Sequence, residues 1–543
     1  MNNLFNLAKS GLSTAQSALS IVGSNLTNGM SSSYSRRDII IGESGGLTTG
    51  NGFYGYGAMV RGVERAYDAF ASSQLRTSVS VWSALDARSE QLTDIDNMLG
   101  DESDNVSVSL GNLFKAMSTL SADPSDSASR SAVFNSLGAL TQRFNESGKR
   151  LSGLEKSTNT HIEQTVKDIN TTTEQLAEIN QQLERIQAQN GSVPADLLDQ
   201  RDELLESLGG QIGIEVSENK ITGRVDVTLA DGRPLVSGEQ AYRFSAGPSS
   251  ADPGKTSVSY IGSDGKAAEL DESRITKGRL AGLFRFRNDD LATARSELNE
   301  MAFVMASRMN QQHKLGVDKN GQAGEEIFNL PDPKAIGSSG NQGSGAFSSI
   351  KVDDYTQVKS QDYTISFDGT NWTVTDASGN QQTANPGQEL AFDGIKVDTT
   401  GMNPSPGDNF TLNPMAGMAE GISRHLTDAD QIAAAKTRGA SDDNENIKAL
   451  LEIQNEKLIK GDTLTGAYTR LVGTIGASAK SVQSGLKSAT TDLETKYNTK
   501  QALSGVDMNE EMVNMQMFMQ YYQANSQILQ TATTLFDTLL TIR

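Results

Sequence analysis

The sequence predicts a mainly helical protein with β inserts, an α+β fold in three parts. Terminal helices pair as a coiled coil, an elongated helical bundle forms the middle domain, and a small β-rich domain lies outermost. Three observations carry this expectation. Apolar residues at both chain ends alternate three and four positions apart, the spacing of a coiled-coil seam. Long internal stretches keep the helical period on one face. Two further stretches switch to period two and are punctuated by Asp-Gly turns.

At the N-terminus the seam is Phe5, Ala8, Leu12, Ala15, Leu19, Val22 and Leu26, and Lys9 is the only charge before Arg36. Asn28-Gly29 ends this helix, since both residues tolerate a left-handed helix end. Tyr34 to Ile41 reads as extended and enters a glycine-rich loop, Gly42 to Gly57. Helical patterns follow with Trp82, Leu85, Leu92, Ile95 and Leu99, then Leu110 to Leu120, Val133 to Phe144, and Ile162 to Ile186. Pro194 starts another helix and Gly209-Gly210 ends it. Val225, Val227 and Leu229 then alternate into the turn Asp231-Gly232, which marks a β insert near 212–262. Helix returns from Leu280 to His313, and Gly337 to Ser349 reads as a linker. From Val352 to Leu412 the signals are β: Tyr363, Ile365 and Phe367 run into Asp368-Gly369, and Trp372 and Val374 lead back. After Pro414 the pattern is helical through Ile447 to Tyr497. The expected division is 1–65 with 505–543 as a terminal assembly domain, 66–345 with 416–504 as a rod-like helical domain, and 346–415 as the small β domain.

The closing stretch organises the rest. Met508, Met512, Met515, Met519, Tyr522, Ser526, Leu529, Thr533, Phe536 and Leu540 form its seam, and Ile528, Ala532, Leu535, Leu539 and Ile542 a second stripe. No residue from Met512 to Phe536 carries a charge; the intervening positions are largely Gln, Asn, Ser and Thr. A neutral amide is buried far more cheaply than an ion, so this helix is built to be covered on several sides. The residues expected at the assembly interface are Leu12, Leu19, Leu26, Met515, Met519, Leu529, Leu535, Phe536 and Leu539. Because isolated helices are marginal without packing, both ends are expected to be poorly ordered in a free monomer.

Composition narrows the function. The 543 residues suffice for several domains, and a formal net charge of -20 without a Lys/Arg cluster argues against a nucleic-acid partner. Without cysteine there is no disulfide, thiol catalysis or Cys-ligated zinc. No apolar run approaches the ~18 residues of a membrane span, and the N-terminus lacks the order of a cleaved signal. Gly42-Glu43-Ser44-Gly45-Gly46 fits the serine-hydrolase elbow, but more glycine follows where the elbow needs a helix. Gly50, Gly52 and Gly55 fail a dinucleotide fingerprint for the same reason. Asp318, Asn320 and Gln322 begin like a calcium loop, yet Ala323 and Asn329 occupy its required Gly and Glu positions. His161, His313 and His425 lie far apart. Nothing here calls for a cofactor or metal, and the reading is a non-enzyme.

Several stretches carry a resemblance. Gly11-Leu12-Ser13-Thr14-Ala15-Gln16-Ser17-Ala18-Leu19 through Ser24-Asn25-Leu26-Thr27-Asn28 resembles the opening helix shared by flagellar rod, hook and junction proteins. Val63-Glu64-Arg65-Ala66-Tyr67-Asp68, Leu197-Leu198-Asp199-Gln200-Arg201-Asp202, Gly278 to Leu283, Asn310 to Gly316, Gly407 to Phe410, and Ser504 to Asp507 are similar to one family, the FlgK flagellar hook-associated proteins of the hook–filament junction. Ser32-Ser33-Tyr34-Ser35-Arg36 departs from the Thr-Pro-Gly-Tyr-like segment common among axial proteins, in the loop rather than the helix. The resemblance implies an exported structural adaptor, passed unfolded through the flagellar type III apparatus and assembled as a ring. Its implied partners are further copies of itself, the hook protein, the second hook–filament junction protein, and before export the chaperone FlgN on the C-terminal helix. Two other classes remain open at this point: a soluble hydrolase using Ser44, and a secreted coiled-coil adhesin.

Overall fold

Helical and extended segments alternate in a computed structural model that describes residues 2–50, 52–101, 103–439 and 442–541. Helix α1 (Asn2–Asn28) is followed by strands β1 (Arg37–Glu43), β2 (Gly46–Thr49), β3 (Gly52–Gly55) and β4 (Ala58–Arg65). Helices α2 (Ala69–Leu99), α3 (Val106–Ala122), α4 (Ser127–Asn190) and α5 (Ala195–Gln211) come next. Strands β5 (Ile214–Glu218), β6 (Val225–Leu229), β7 (Pro234–Ser237) and β8 (Gln240–Ala241) make an antiparallel sheet in that order. After a second small sheet the chain forms α6 (Arg279–Arg285), a π turn at Phe286–Leu291, and α7 (Ala292–His313). Beyond the β-rich segment lie α8 (Met418–Gly421), α9 (Glu445–Glu452), α10 (Leu464–Ser504) and α11 (Met508–Thr541).

Two compact units result. The first gathers Met1–Ser83, Asp168–Arg243 and Lys487–Arg543. In it α1 lies along α11 and against β1 and β4. β1 and β4 pair from Arg37↔Arg65 to Glu43↔Ala58, with a bulge between Ile40 and Ile41. β2 and β3 pair from Gly46↔Gly55 to Thr49↔Gly52, so the segment expected as a glycine-rich loop is a second hairpin. Glycine serves close approach here: a Cβ on Gly46 would stand 2.5 Å from the Tyr54 carbonyl oxygen. The alternation at Val225, Val227 and Leu229 turns all three inward, and Gly232, at φ +85°, makes the turn that follows.

The second unit gathers Ala84–Lys167 and Phe244–Leu486. Its main apolar core joins Leu92, Leu113, Phe144, Phe286, Phe303, Leu450 and Leu471. Helix α3 shows how the sequence builds it: the Asn105 side chain caps the N-terminus by accepting from the Val108 amide at 2.9 Å. Val106, Leu110, Leu113, Met117 and Leu120 then fall on one buried face. A second core forms where Tyr363, Ile365 and Phe367 face inward opposite Trp372 and Val374. Asp368 accepts from the amides of Thr370 and Asn371 at 2.7 and 2.6 Å and closes that hairpin.

Several local expectations change. The helices expected at Val133 to Phe144 and Ile162 to Ile186 are one helix, α4, of 64 residues. It contains no proline, and Gly148 is where the Glu420 backbone comes close, 2.9 Å from where a Cβ would stand. The stretch 337–349, expected as a linker, is pinned by Asp408, which accepts from the amides of Gln342 and Gly343 at 2.8 and 3.1 Å. Between Pro414 and Leu464 only short helical pieces form among the described residues.

Candidate assembly interface

On its α1 side the α1–α11 contact is built largely from small residues. On α1 the buried positions of the seam are Ala8, Gly11, Ala15, Ala18, Val22 and Asn25, alternating three and four apart, and Thr14 is buried beside them. On α11 they are Glu511, Asn525 and Ala532, with Phe518 completing a seven-residue repeat. Small side chains let the two backbones approach. A Cβ on Gly11 would stand only 2.1 Å from Asn525 Oδ1. The other flank of α1 is hydrogen-bonded to the strands: Ser10 and Thr14 hydroxyls donate to the carbonyls of Tyr56 and Ala58 at 3.2 and 3.1 Å. Asn25 donates to the Arg37 carbonyl at 3.0 Å and accepts from the Arg37 amide at 3.1 Å and from the Tyr34 hydroxyl at 2.8 Å.

Inside this seam Glu511 is buried and its Oε2 has no hydrogen-bond partner. Burial pushes its carboxyl above the usual carboxylate range, against the pull of Asn25 and Arg36.

The expected interface residues fall into three groups. Leu12, Leu19 and Leu26 are half-buried beside the small-residue seam, and Met515 and Leu529 are half-buried on α11. Met519, Leu535 and Phe536 face outward, at 42%, 47% and 52% exposure. The side chain of Leu539 lies outside the described residues. Half of the expected α1 seam is buried as read, at Ala8, Ala15 and Val22; at the alternate positions the buried residues are Gly11, Ala18 and Asn25, one place before the expected Leu12, Leu19 and Leu26. Hydrophobicity favoured the leucines. The signal that finds the true seam is the run of small residues at heptad spacing, which permits closer backbone packing.

What the pair leaves uncovered carries many large apolar side chains among neutral amides and hydroxyls. Met508, Met512, Met517, Met519, Tyr522 and Phe536 are exposed on α11, Leu4 and Phe5 on α1, and Phe53 and Tyr54 on the β2–β3 hairpin. Outside residues 4–81 and 497–536, the large hydrophobic side chains exposed among the described residues are Ile221, Leu315 and Ile336. Exposed apolar patches are characteristic of interaction surfaces.

The candidate chemical motifs sit in ordinary structural settings. Ser44 stands between β1 and β2, so a strand follows it where an elbow needs a helix. The Asp318 carboxylate accepts from the Asn320 and Gln322 amides at 2.9 and 2.7 Å and closes its own turn. Buried His313 donates through Nδ1 to the Glu325 carbonyl at 2.7 Å and accepts at Nε2 from the Ala433 amide at 2.8 Å. Among the described residues no group of three His, Cys, Asp or Glu is placed to hold a metal ion. No described helix is long and apolar enough to cross a membrane.

Paired terminal helices with an uncovered apolar face, and a folded middle looped out between them, define a structural subunit of a larger assembly. Comparison with known proteins specifies which. Residues 92–328 match the model of the flagellar hook-associated protein FlgK helical domain, residues 336–414 that of the flagellar hook-associated protein 1 D2-like domain, and residues 501–542 that of the flagellar basal body rod FlgEFG protein C-terminal region. Flagellar hook-associated protein 1 of Salmonella typhimurium is 36% identical over 555 residues, and that of Escherichia coli 36% over 550, each alignment covering 100% of both chains. The structure of the flagellar hook junction protein FlgK from Burkholderia pseudomallei superposes with a TM-score of 0.70 at 23% identity, covering 79% of this chain and 100% of that one. The chain belongs to the FlgK family of flagellar hook-associated proteins, structural components of the flagellum at the hook–filament junction.

Proposed function

We propose that this chain is the subunit of an adaptor ring between hook and filament. The observation that carries the reading is the α1–α11 pair: small residues on α1 close its inner seam, while its outer face exposes large apolar side chains and, between Met512 and Phe536, no charge. A surface of this kind is stable only when neighbours cover it. Copies of the chain, the hook protein and the second junction protein are the neighbours that family membership suggests. Met519, Leu535 and Phe536 supply the contacts between subunits, and Leu12, Leu19, Leu26, Met515 and Leu529 support them from the flank.

The three-part division follows the same logic. Residues 1–65 with 505–543 assemble, 66–345 with 416–504 form the helical body, and 346–415 lie outermost. The subunit passes unfolded through the flagellar type III apparatus, with FlgN holding the C-terminal helix in the cytoplasm beforehand. It performs no catalysis. Electron microscopy of cells lacking the protein tests the reading: hooks without filaments are expected, and full filaments on such cells would overturn it.

A further inference from the structure

The base of the β1–β4 ribbon rests on a buried cluster of charges. Arg37 opens β1, Arg65 closes β4, and the two are register partners. Asp199 on α5 receives both, Arg65 Nη1 at 3.0 Å and Arg37 Nη2 at 3.5 Å, and also accepts from the Ser35 amide at 3.4 Å. The other Arg65 nitrogen reaches Asp202 at 2.8 Å. Arg201, fully buried, binds Asp202 and, on β5, Glu218, each at 2.7 Å. It also donates to the Gly223 carbonyl. Tyr67 lies under the Arg65 guanidinium, 4.3 Å from ring centroid to Cζ, and fixes its plane. Three arginines thus face three carboxylates, and the cluster is charge-balanced.

The same place gathers both ends of the terminal module. The Arg36 amide donates to the Ser504 carbonyl at the end of α10, and the Arg36 carbonyl accepts from the Ala66 amide, both at 2.8 Å. Arg36 also reaches Glu510 on α11 at 3.5 Å. The chain passes from α1 into the ribbon at Arg36, leaves the ribbon after Arg65, and returns to the module after Ser504, whose carbonyl the Arg36 amide binds.

We infer that this cluster is a joint, and that Asp199 is its positioning residue: it fixes the direction in which the ribbon and the α1–α11 pair project from α5 and β5. Apolar packing is non-directional and tolerates sliding. Arginine–carboxylate pairs hold one geometry. A buried ion cluster adds little net stability over apolar packing, but removing one partner leaves uncompensated charge. The arrangement suits an element whose angle matters more than its strength. The joint's use in assembly rests on the ring reading; the joint itself is read in the isolated full chain, so the two fail separately.

The sequence has no cysteine, so Ser20→Cys on α1 and Ser207→Cys on α5, both at exposed positions, place two spin labels without background. Electron–electron double resonance should report one narrow distance in the otherwise unchanged chain. With Asp199→Asn the distance should broaden or shift while far-ultraviolet circular dichroism stays the same. Should Asp199→Asn prevent folding, Arg37→Gln, which removes only the outer arm of the cluster, is judged by the same criterion. An unchanged, narrow distance, with or without a lower melting temperature, would show that the cluster merely stabilises and would overturn the joint.

Discussion

Two glycines of the same helix should respond oppositely to the same substitution. On Gly11 a Cβ would lie 2.1 Å from Asn525 Oδ1, 2.5 Å from its Cγ and 2.9 Å from its Nδ2. The nearest approach is roughly 1.4 Å short of an ordinary contact of ~3.5 Å. Asn525 is buried and donates to the Tyr521 carbonyl at 2.8 Å, so α1 and α11 must separate or that bond must break. Overpacking of this kind costs about 1–3 kcal/mol. On Gly23 an added Cβ meets nothing within 4 Å. Both substitutions gain about 1 kcal/mol of helix propensity, so the gain cancels between them and the overpacking cost remains. Native-state hydrogen exchange of the free chain measures it. Amides of α1 in Gly11→Ala should exchange faster than in Gly23→Ala by on the order of five- to a hundred-fold. Adding Asn525→Ala removes the colliding atoms and should return Gly11→Ala to the Gly23→Ala level. In the parent chain α1 and α11 should be the least protected helices, because the alanines and glycine on the α1 side of the seam bury little apolar area. If Gly11→Ala protects α1 as well as Gly23→Ala does, the close α1–α11 approach is wrong.

Leu535→Asp should cost the free chain only about 0.5–1 kcal/mol, from propensity and the helix end, since Leu535 is 47% exposed. In the proposed ring the same ion must be buried, at several kcal/mol per subunit, so cells should secrete the protein without building filaments; normal motility would show that this face stays in water. His313 sets a pH dependence: burial holds its imidazole below its ordinary pKa, so the unfolded chain binds the extra proton first. Its stabilising contribution is complete above pH ~6.5 and falls by up to about 1.4 kcal/mol per pH unit as pH drops from there through the lower folded value. Urea midpoints at pH 7.5 and 5.5 should differ accordingly, and less so in His313→Gln. Ser44→Ala should alter neither folding nor any esterase assay; an esterase activity lost with the fold intact would restore the hydrolase reading.

The sequence by itself determined the secondary structure wherever one period ran unbroken, because burying one face of a helix or strand depends only on spacing. Leu110 to Leu120, Val225 to Leu229 and the Tyr363–Trp372 hairpin are such cases. It also showed that the two ends pair, since the absence of charge from Met512 to Phe536 is a property of composition. Three things were decided only in three dimensions. Ala8, Ala15 and Val22 of the expected seam are buried, but its alternate positions went to Gly11, Ala18 and Asn25 over Leu12, Leu19 and Leu26, because closeness of backbones, which sequence periodicity does not weigh, outranked hydrophobicity. The glycine-rich segment after β1 became a hairpin, because strand pairing with Gly52–Gly55 satisfies its backbone. Arg65 of the Val63 to Asp68 stretch and Asp199, Arg201 and Asp202 of the Leu197 to Asp202 stretch became one cluster although Arg65 and Asp199 are distant in sequence. Each charge was legible alone, but which cation would neutralise which anion depends on the tertiary fold that brings them within reach.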